Sequence, residues 1–282
     1  MKIKTIILLS VICVITALGV TFGKNSAGIS VFAQTVSPDA EENTNRRADP
    51  DAANWGIETL DTAKNAAYLS PIEKDVILEM NKARTNPQKY AKLYIQPRLK
   101  YFNGKNYSAP GQISKTTKEG TSAVIDCIAV LNKAAAAGIL NPDPGLTRAA
   151  KIHTADQNKT GRTGHTGSDR SSPESRIKRY GTFSGSWTLA ENIAYGPDTG
   201  REIVCNLLIN DGVRERGHRT SLMNDEYTQT GVGAGTHARY RTMCTITYAD
   251  GYTSNFEVSQ IVSDVWKRLL SASAYAASPA KP

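Results

Sequence analysis

The sequence predicts an α/β layered fold in which a largely antiparallel sheet lies between helices. Three observations carry this. The elements read from the chain run as helices, a strand, a helix and a hairpin, an order that lets helices cover a sheet whose strands pair antiparallel. Leu189–Gly196 is an apolar run of strand length interrupted by one carboxylate, Glu191. Several stretches carry apolar residues at three- and four-residue spacing, the period of a helix with one buried face.

The N-terminus reads as an export signal. Lys2 and Lys4 precede an uncharged apolar run from Thr5 to Phe22, and Val31-Phe32-Ala33 places small residues for cleavage before Gln34. The rival reading is a retained anchor, since the run is near the lower limit of roughly 17 residues for a membrane span. Ile12 before Cys13 argues against lipidation. Residues 1–33 are thus expected as a signal peptide and the protein as secreted, with the membrane involved only through that segment. Residues 34–69 are rich in Asp, Glu, Asn, Ala and Thr and lack an apolar period, so they are expected as a flexible leader. The folded domain is expected over 70–265. Residues 266–282 fall in an Ala-, Ser- and Pro-rich stretch expected as a loose tail.

Within the domain, Ser70-Pro71-Ile72-Glu73 reads as a capping box with proline at the first helical position. Ile72, Val76, Ile77, Met80 and Ala83 form the stripe behind it. Asn86-Pro87 ends that helix and starts a second, with Tyr90, Leu93 and Tyr94 inward. Residues 100–120 have little pattern and are expected as a long loop. A helix is expected from Ser122 to Ala137 with Gly138 as its stop, and another from Leu146 to Gln157 with Leu146, Ala149, Ala150 and His153 on one face. Ser172-Pro173 opens a short helix ending at Tyr180-Gly181. After the Glu191 strand, Thr199–Asn210 is helical, with Val204, Leu207 and Leu208 buried. Strands Gly231–His237 and Thr242–Ala249 close the domain.

Composition excludes some functions. The chain is 40% hydrophobic and 21% charged, the balance of a soluble globular protein. Removing residues 1–33 removes Lys2, Lys4 and Lys24 and no acid, so the net charge falls from +8 to +5. No block of like charges marks a nucleic-acid face, and no nucleic-acid partner is expected. A mildly basic surface suits anionic lipid or cell-wall polymer, or is simply solvated. Of the four cysteines, Cys127, Cys205 and Cys244 remain after the signal. Their spacing gives no metal motif, and both a Cys205–Cys244 disulfide and three reduced thiols fit it.

The chemistry-bearing residues cluster around Glu191. A carboxylate in a buried strand needs a partner. His165, in Thr163-Gly164-His165-Thr166-Gly167, and His218, in Arg216-Gly217-His218-Arg219, bracket it along the chain. The expectation is that His165, Glu191 and His218 meet in one cleft. Asp211 extends the buried stripe of the helix before His218, at a helix C-terminus where a carboxylate opposes the macrodipole. It therefore calls for a cation, a metal or a nearby Arg214 or Arg216. His153 reads as a hydrogen-bonded core histidine.

Four pieces of the chain, in order, resemble the CAP superfamily of cysteine-rich secretory proteins, venom antigens and pathogenesis-related proteins, in its bacterial SCP-like form. They are Ala150–Asp156; Gly164–Asp169 followed by Ser171-Ser172-Pro173 and Arg176; Ala190–Ala194; and Gly217-His218-Arg219 with Leu222-Met223-Asn224. The resemblance spans roughly 70–260. It implies a three-layer α-β-α sandwich, secretion, and a cleft of two histidines and two acids that in some members holds zinc or another divalent cation. Here that set is His165, His218 and Glu191, with Asp211 as the fourth. The family's paired-cysteine tail is absent.

Two imidazoles and one or two carboxylates suit a borderline divalent metal with an open water position. They suit equally a structural His–Glu–His hydrogen-bond network. Three functions follow: a secreted binding module for lipid, peptide or cell-surface polymer; a zinc-dependent hydrolase with Glu191 as general base; or a structural, adhesive surface protein with a non-catalytic cleft. Ser168, Ser171, Ser172 and Ser221 are near the histidines in sequence, but none lies in a nucleophile elbow. Arg219 reads as a surface or capping arginine, or as a contact to an anionic substrate.

Overall fold

Ser70 opens the first long helix as its sequence dictates: Glu73 Oε2 accepts the Ser70 N–H at 2.7 Å and a capping box forms. The computed structural model describes residues 55–255, together with the backbone of 23–25 and 28–30. The chain divides into two units, Met1–Pro50 and Asp51–Pro282. In the first, strands β1 (Gly23–Asn25) and β2 (Gly28–Ser30) form a short antiparallel hairpin. The remainder of the expected signal peptide, the leader up to residue 54 and the tail from 266 lie outside the described residues.

The second unit holds helices α1 (Ile57–Leu60), α2 (Pro71–Thr85) and α3 (Pro87–Tyr90), the last continued by a π-helical turn and a 3-10 stretch to Tyr101. Strands β3 (Phe102–Asn103), β4 (Asn106–Tyr107) and β5 (Lys115–Thr116) follow, then α4 (Thr121–Lys133) and β6 (Asn141–Pro142). Helices α5 (Pro144–Thr160) and α6 (Pro173–Lys178) precede β7 (Gly181–Tyr195). Helices α7 (Gly200–Ile209) and α8 (Gly217–Met223) lead to β8 (Gln229–His237) and β9 (Arg241–Ser254).

The main sheet runs β6-β8-β9-β7, antiparallel except for the short β6–β8 pair. Alternate residues of β9 serve opposite faces, as the pleat requires. Cys244, Ile246 and Tyr248 join the core built with α2, α4 and α7, while Ala249, and Tyr252 beyond the left-handed Gly251 where the β7–β9 register shifts, pack with Leu146, Ala149 and Ile177 of α5 and α6. Helices therefore cover both faces, and the expected α-β-α layering is what forms. Glycines set the closeness of the second face. A Cβ at Gly231 would lie 2.1 Å from the Leu146 carbonyl carbon, and one at Gly233 would lie 2.6 Å from the Lys151 nitrogen. Helix α5 therefore rests directly on the β8 backbone.

Three expectations are corrected. Residues 55–69 are not a flexible leader: Trp55, Leu60, Ala63 and Leu69 are buried in the main core, Trp55 donates to the Tyr94 hydroxyl at 3.0 Å, and Asn81 donates to Leu60 O at 2.9 Å. Their apolar residues are too sparse for a periodic pattern, but each fills a separate site in the core. Residues 100–120 contain the small β3–β4–β5 sheet rather than a structureless loop. Helix α4 stops at Lys133, short of Ala137 and Gly138. Tertiary bonds win there over alanine's helix propensity, because Arg84 O accepts from Ala137 N at 2.8 Å and Arg84 Nε donates to Gly138 O at 2.7 Å. Arg84 is fully buried and also donates to Leu222 O, Asn224 O and Tyr227 O. Cys127, Cys205 and Cys244 are all buried free thiols.

Candidate functional site

Strand β7 lies at the edge of the main sheet, and its alternation sends Glu191 and Asn192 to opposite faces. Loops from either side of the sheet meet it there. The Glu191 side chain is 1% exposed. Its Oε2 accepts from Arg176 Nη2 of α6 at 2.7 Å, and its Oε1 lies 2.9 Å from His165 Nδ1. The buried acid therefore has its partner, and that partner is a buried arginine. Arg176 also donates to His165 O at 3.0 Å and Ser171 O at 2.9 Å, so it builds the loop that carries the imidazole.

That loop is fastened at several points. Gly164, at φ 96°, donates to the Tyr195 hydroxyl at 2.9 Å. Its carbonyl accepts from Nε2 of His153, which is fully buried in α5. His153 is thus a core histidine holding the His165 loop in place. Asp156 accepts from Ser168 N at 2.8 Å. The His165 ring stands half in solvent at 49% exposure, with its Nδ1 on the acid and no partner at Nε2 among the described residues.

On the other face, Asn192 donates to His218 O at 2.9 Å and to the Tyr248 hydroxyl at 3.1 Å. The half-buried His218 ring is held by Asn210, the left-handed residue that ends α7. Asn210 Oδ1 accepts from His218 N at 2.9 Å, and its Nδ2 lies 2.9 Å from His218 Nδ1. Asp211 takes no part in this. Its two oxygens accept from Lys118 N at 2.7 Å and Glu119 N at 2.8 Å, which anchors the turn before α4. The residue facing His218 is Asn210, one position earlier. Asparagine's tolerance of the left-handed conformation at a helix end was the signal available for it in the sequence.

The donor set does not fit a four-ligand protein metal site. Both Glu191 oxygens, both Asp211 oxygens and His218 Nδ1 are committed to protein groups. Among the described residues no group of three or more His, Cys, Asp and Glu side chains is arranged to hold an ion. Among the described residues no serine hydroxyl is bonded to His165 or His218: Ser168 is on Asp156, and Ser172 caps α6. Arg219 is buried and donates to Asp126 Oδ2 at 2.6 Å, a structural pairing. A cavity of about 260 Å³ opens beside His218, with Phe102, Tyr107, Lys115, Ile193 and Leu207 among its walls.

Burial holds His153 and His218 below the ordinary imidazole value of 6.5, with proximity to His165 adding to the effect at His218. A depressed histidine pKa means that the unfolded chain binds the proton more readily than the folded one. Stability from these groups is therefore present above pH about 6.5 and declines as the pH falls below it. The urea midpoint should be lower at pH 5.5 than at pH 7.5. Asp75 and Asp143, whose carboxyl pKa values burial raises, act in the opposite direction, so the decisive comparison is His218→Asn. Its midpoint should fall less between pH 7.5 and pH 5.5 than that of the wild type, and an equal fall would contradict the burial of this ring.

A sequence model described as the cysteine-rich secretory protein family matches residues 79–248. Among solved structures, an outer surface protein of Borrelia burgdorferi aligns at 19% identity and a TM-score of 0.33, over 41% of this chain and 80% of its own. An extracellular protein of Bacillus anthracis containing an SCP domain aligns at 21% identity and a TM-score of 0.31, over 40% of this chain. The alignment spans about a third of that protein's length, 34%. No curated protein matches significantly.

Proposed function

This chain belongs to the cysteine-rich secretory protein family, and from that premise we propose that it is an exported binding module whose cleft, at the edge of the sheet, takes a polar cell-surface polymer. The observation that carries this reading is the half-exposed His165 imidazole held on a buried Glu191–Arg176 pair. A ring held by a buried acid, on a loop held by a buried arginine, and left open on its outer side is prepared for a ligand, since its orientation costs little further entropy on binding. Export is supported by the charged and then apolar N-terminal run. A polymer with many hydroxyl and amide groups suits this cleft better than a lipid, because lipid sites are enclosed and mostly apolar. The zinc-hydrolase reading needs Glu191 as a base, yet both of its oxygens are engaged by protein groups.

Co-sedimentation of the purified chain with insoluble peptidoglycan tests the proposal. We expect the protein to be retained, and His165→Ala to weaken retention about tenfold, roughly the 1.4 kcal/mol of a charge-assisted or well-oriented hydrogen bond. The half-exposed ring can be removed without opening a cavity, so the variant should remain folded. No retention, or equal retention by both proteins, would overturn the reading.

A further inference from the structure

We infer that Asn210 and Glu191 set opposite tautomers on the two cleft imidazoles, and that Asn210 thereby keeps this cleft from being a zinc site. The argument begins at a backbone group whose polarity is fixed. The His218 N–H can only donate, and it points at the Asn210 side chain at 2.9 Å. The amide oxygen must therefore lie on that side. The amide nitrogen, a donor with no lone pair to offer, is then the atom 2.9 Å from His218 Nδ1. Rotating the amide by half a turn would set two donors against each other at the backbone contact. His218 Nδ1 thus accepts, and the proton of the neutral ring resides on Nε2.

His165 is set the other way. Its Nδ1 faces Glu191 Oε1 at 2.9 Å, and a carboxylate held by Arg176 only accepts. The proton of the neutral His165 ring is therefore on Nδ1, and the lone pair on Nε2. The two neighbouring rings therefore offer opposite groups, a lone pair at His165 Nε2 and an N–H at His218 Nε2. This is a hydrogen-bond acceptor and donor rather than two metal ligands. A histidine that ligates through Nε2 usually donates Nδ1–H to a carboxylate or carbonyl. Glu191 meets that requirement for His165, whereas Asn210 reverses it for His218. Burial and the neighbouring His165 favour the neutral His218 ring to which this assignment applies.

Asn210→Asp is the informative variant. An aspartate tolerates the left-handed conformation of position 210, at φ 53°, and its oxygens can accept from both His218 N and His218 Nδ1. The substitution should transfer the proton of the neutral ring to Nδ1 and leave a lone pair on Nε2. Long-range proton–nitrogen correlation spectra of the 15N-histidine-labelled full chain read the tautomers directly. We expect His218 to appear as the Nε2–H form and His165 as the Nδ1–H form in the wild type, and His218 to switch to Nδ1–H in Asn210→Asp. Zinc titration by calorimetry should show the variant binding 10- to 100-fold more tightly than the wild type, the range seen when outer-shell partners of a ligating histidine are altered. A wild-type His218 protonated at Nδ1 would overturn the inference whether or not the variant folds. So would wild-type zinc affinity equal to that of a folded variant.

Discussion

Arg176→Ala is expected to destabilise the protein by about 3–5 kcal/mol, the range for removing one partner of a buried ion pair. Arg176 is 1% exposed. It carries the contact to Glu191 at 2.7 Å and two carbonyl bonds that shape the 165–171 loop. Without it, a carboxylate 1% exposed would retain only the half-exposed His165 as a partner. That acid would have to take up a proton or draw in water. Equilibrium urea unfolding at pH 7.5 measures the loss. Combining the change with Glu191→Gln should restore part of the stability, because the neutral amide no longer needs a counter-charge. A loss below about 1 kcal/mol, the ceiling typical of exposed pairs, would show that the pair is not buried as described. The His165 loop depends on the same arginine, so the single variant should also lose peptidoglycan retention even where it remains folded.

Gly231→Ala is expected to cost about 3 kcal/mol or more, at or beyond the upper end of ordinary overpacking. The added carbon would lie 2.1 Å from the Leu146 carbonyl carbon and 2.2 Å from Thr147 N. These are backbone atoms, so no side-chain rotation relieves the overlap. Helix α5 is not free to withdraw. Thr154 donates to Gly233 O at 2.8 Å, Asp143 N to Thr230 O at 2.8 Å, and Thr247 Oγ1 to Leu146 O at 3.2 Å. Gly217→Ala is the contrasting case. Nothing lies within 4 Å of the added carbon, and the change should stay within about 0.5 kcal/mol, as expected of a surface substitution. Thermal unfolding of both variants checks the contrast, and equal shifts would show that α5 does not rest on the β8 backbone.

Much of the fold was legible because local chemistry and tertiary structure agree. The Ser70–Glu73 capping box and the Pro71 start form as read, and α7 is bounded by the Thr199 cap and left-handed Asn210. Agreement failed where a long-range bond outbid a local preference. Ala134–Ala137 is a good helical stretch, yet Arg84 holds Ala137 and Gly138 off the helix. Residues 55–69 show no period, yet Trp55 and Leu60 fill the core one side chain at a time. The glycines at 231 and 233 read only as strand residues, because nothing local states how near a helix will come.

The cleft divides the same way. From spacing along the chain alone, Glu191 is placed in a strand interior that must pair it, with a histidine on either side of it in sequence; His165, in a loop, does meet the acid, whereas His218 lies in the first turn of α8. What each group meets follows from the packing of distant segments: Arg176 on the acid, Asn210 on His218, and Asp211 on the amides of 118 and 119. The reason is physical. Burial and period are properties of a segment, readable from spacing along the chain. The direction of a hydrogen bond depends on which donor and acceptor from distant segments come within about 3 Å of each other.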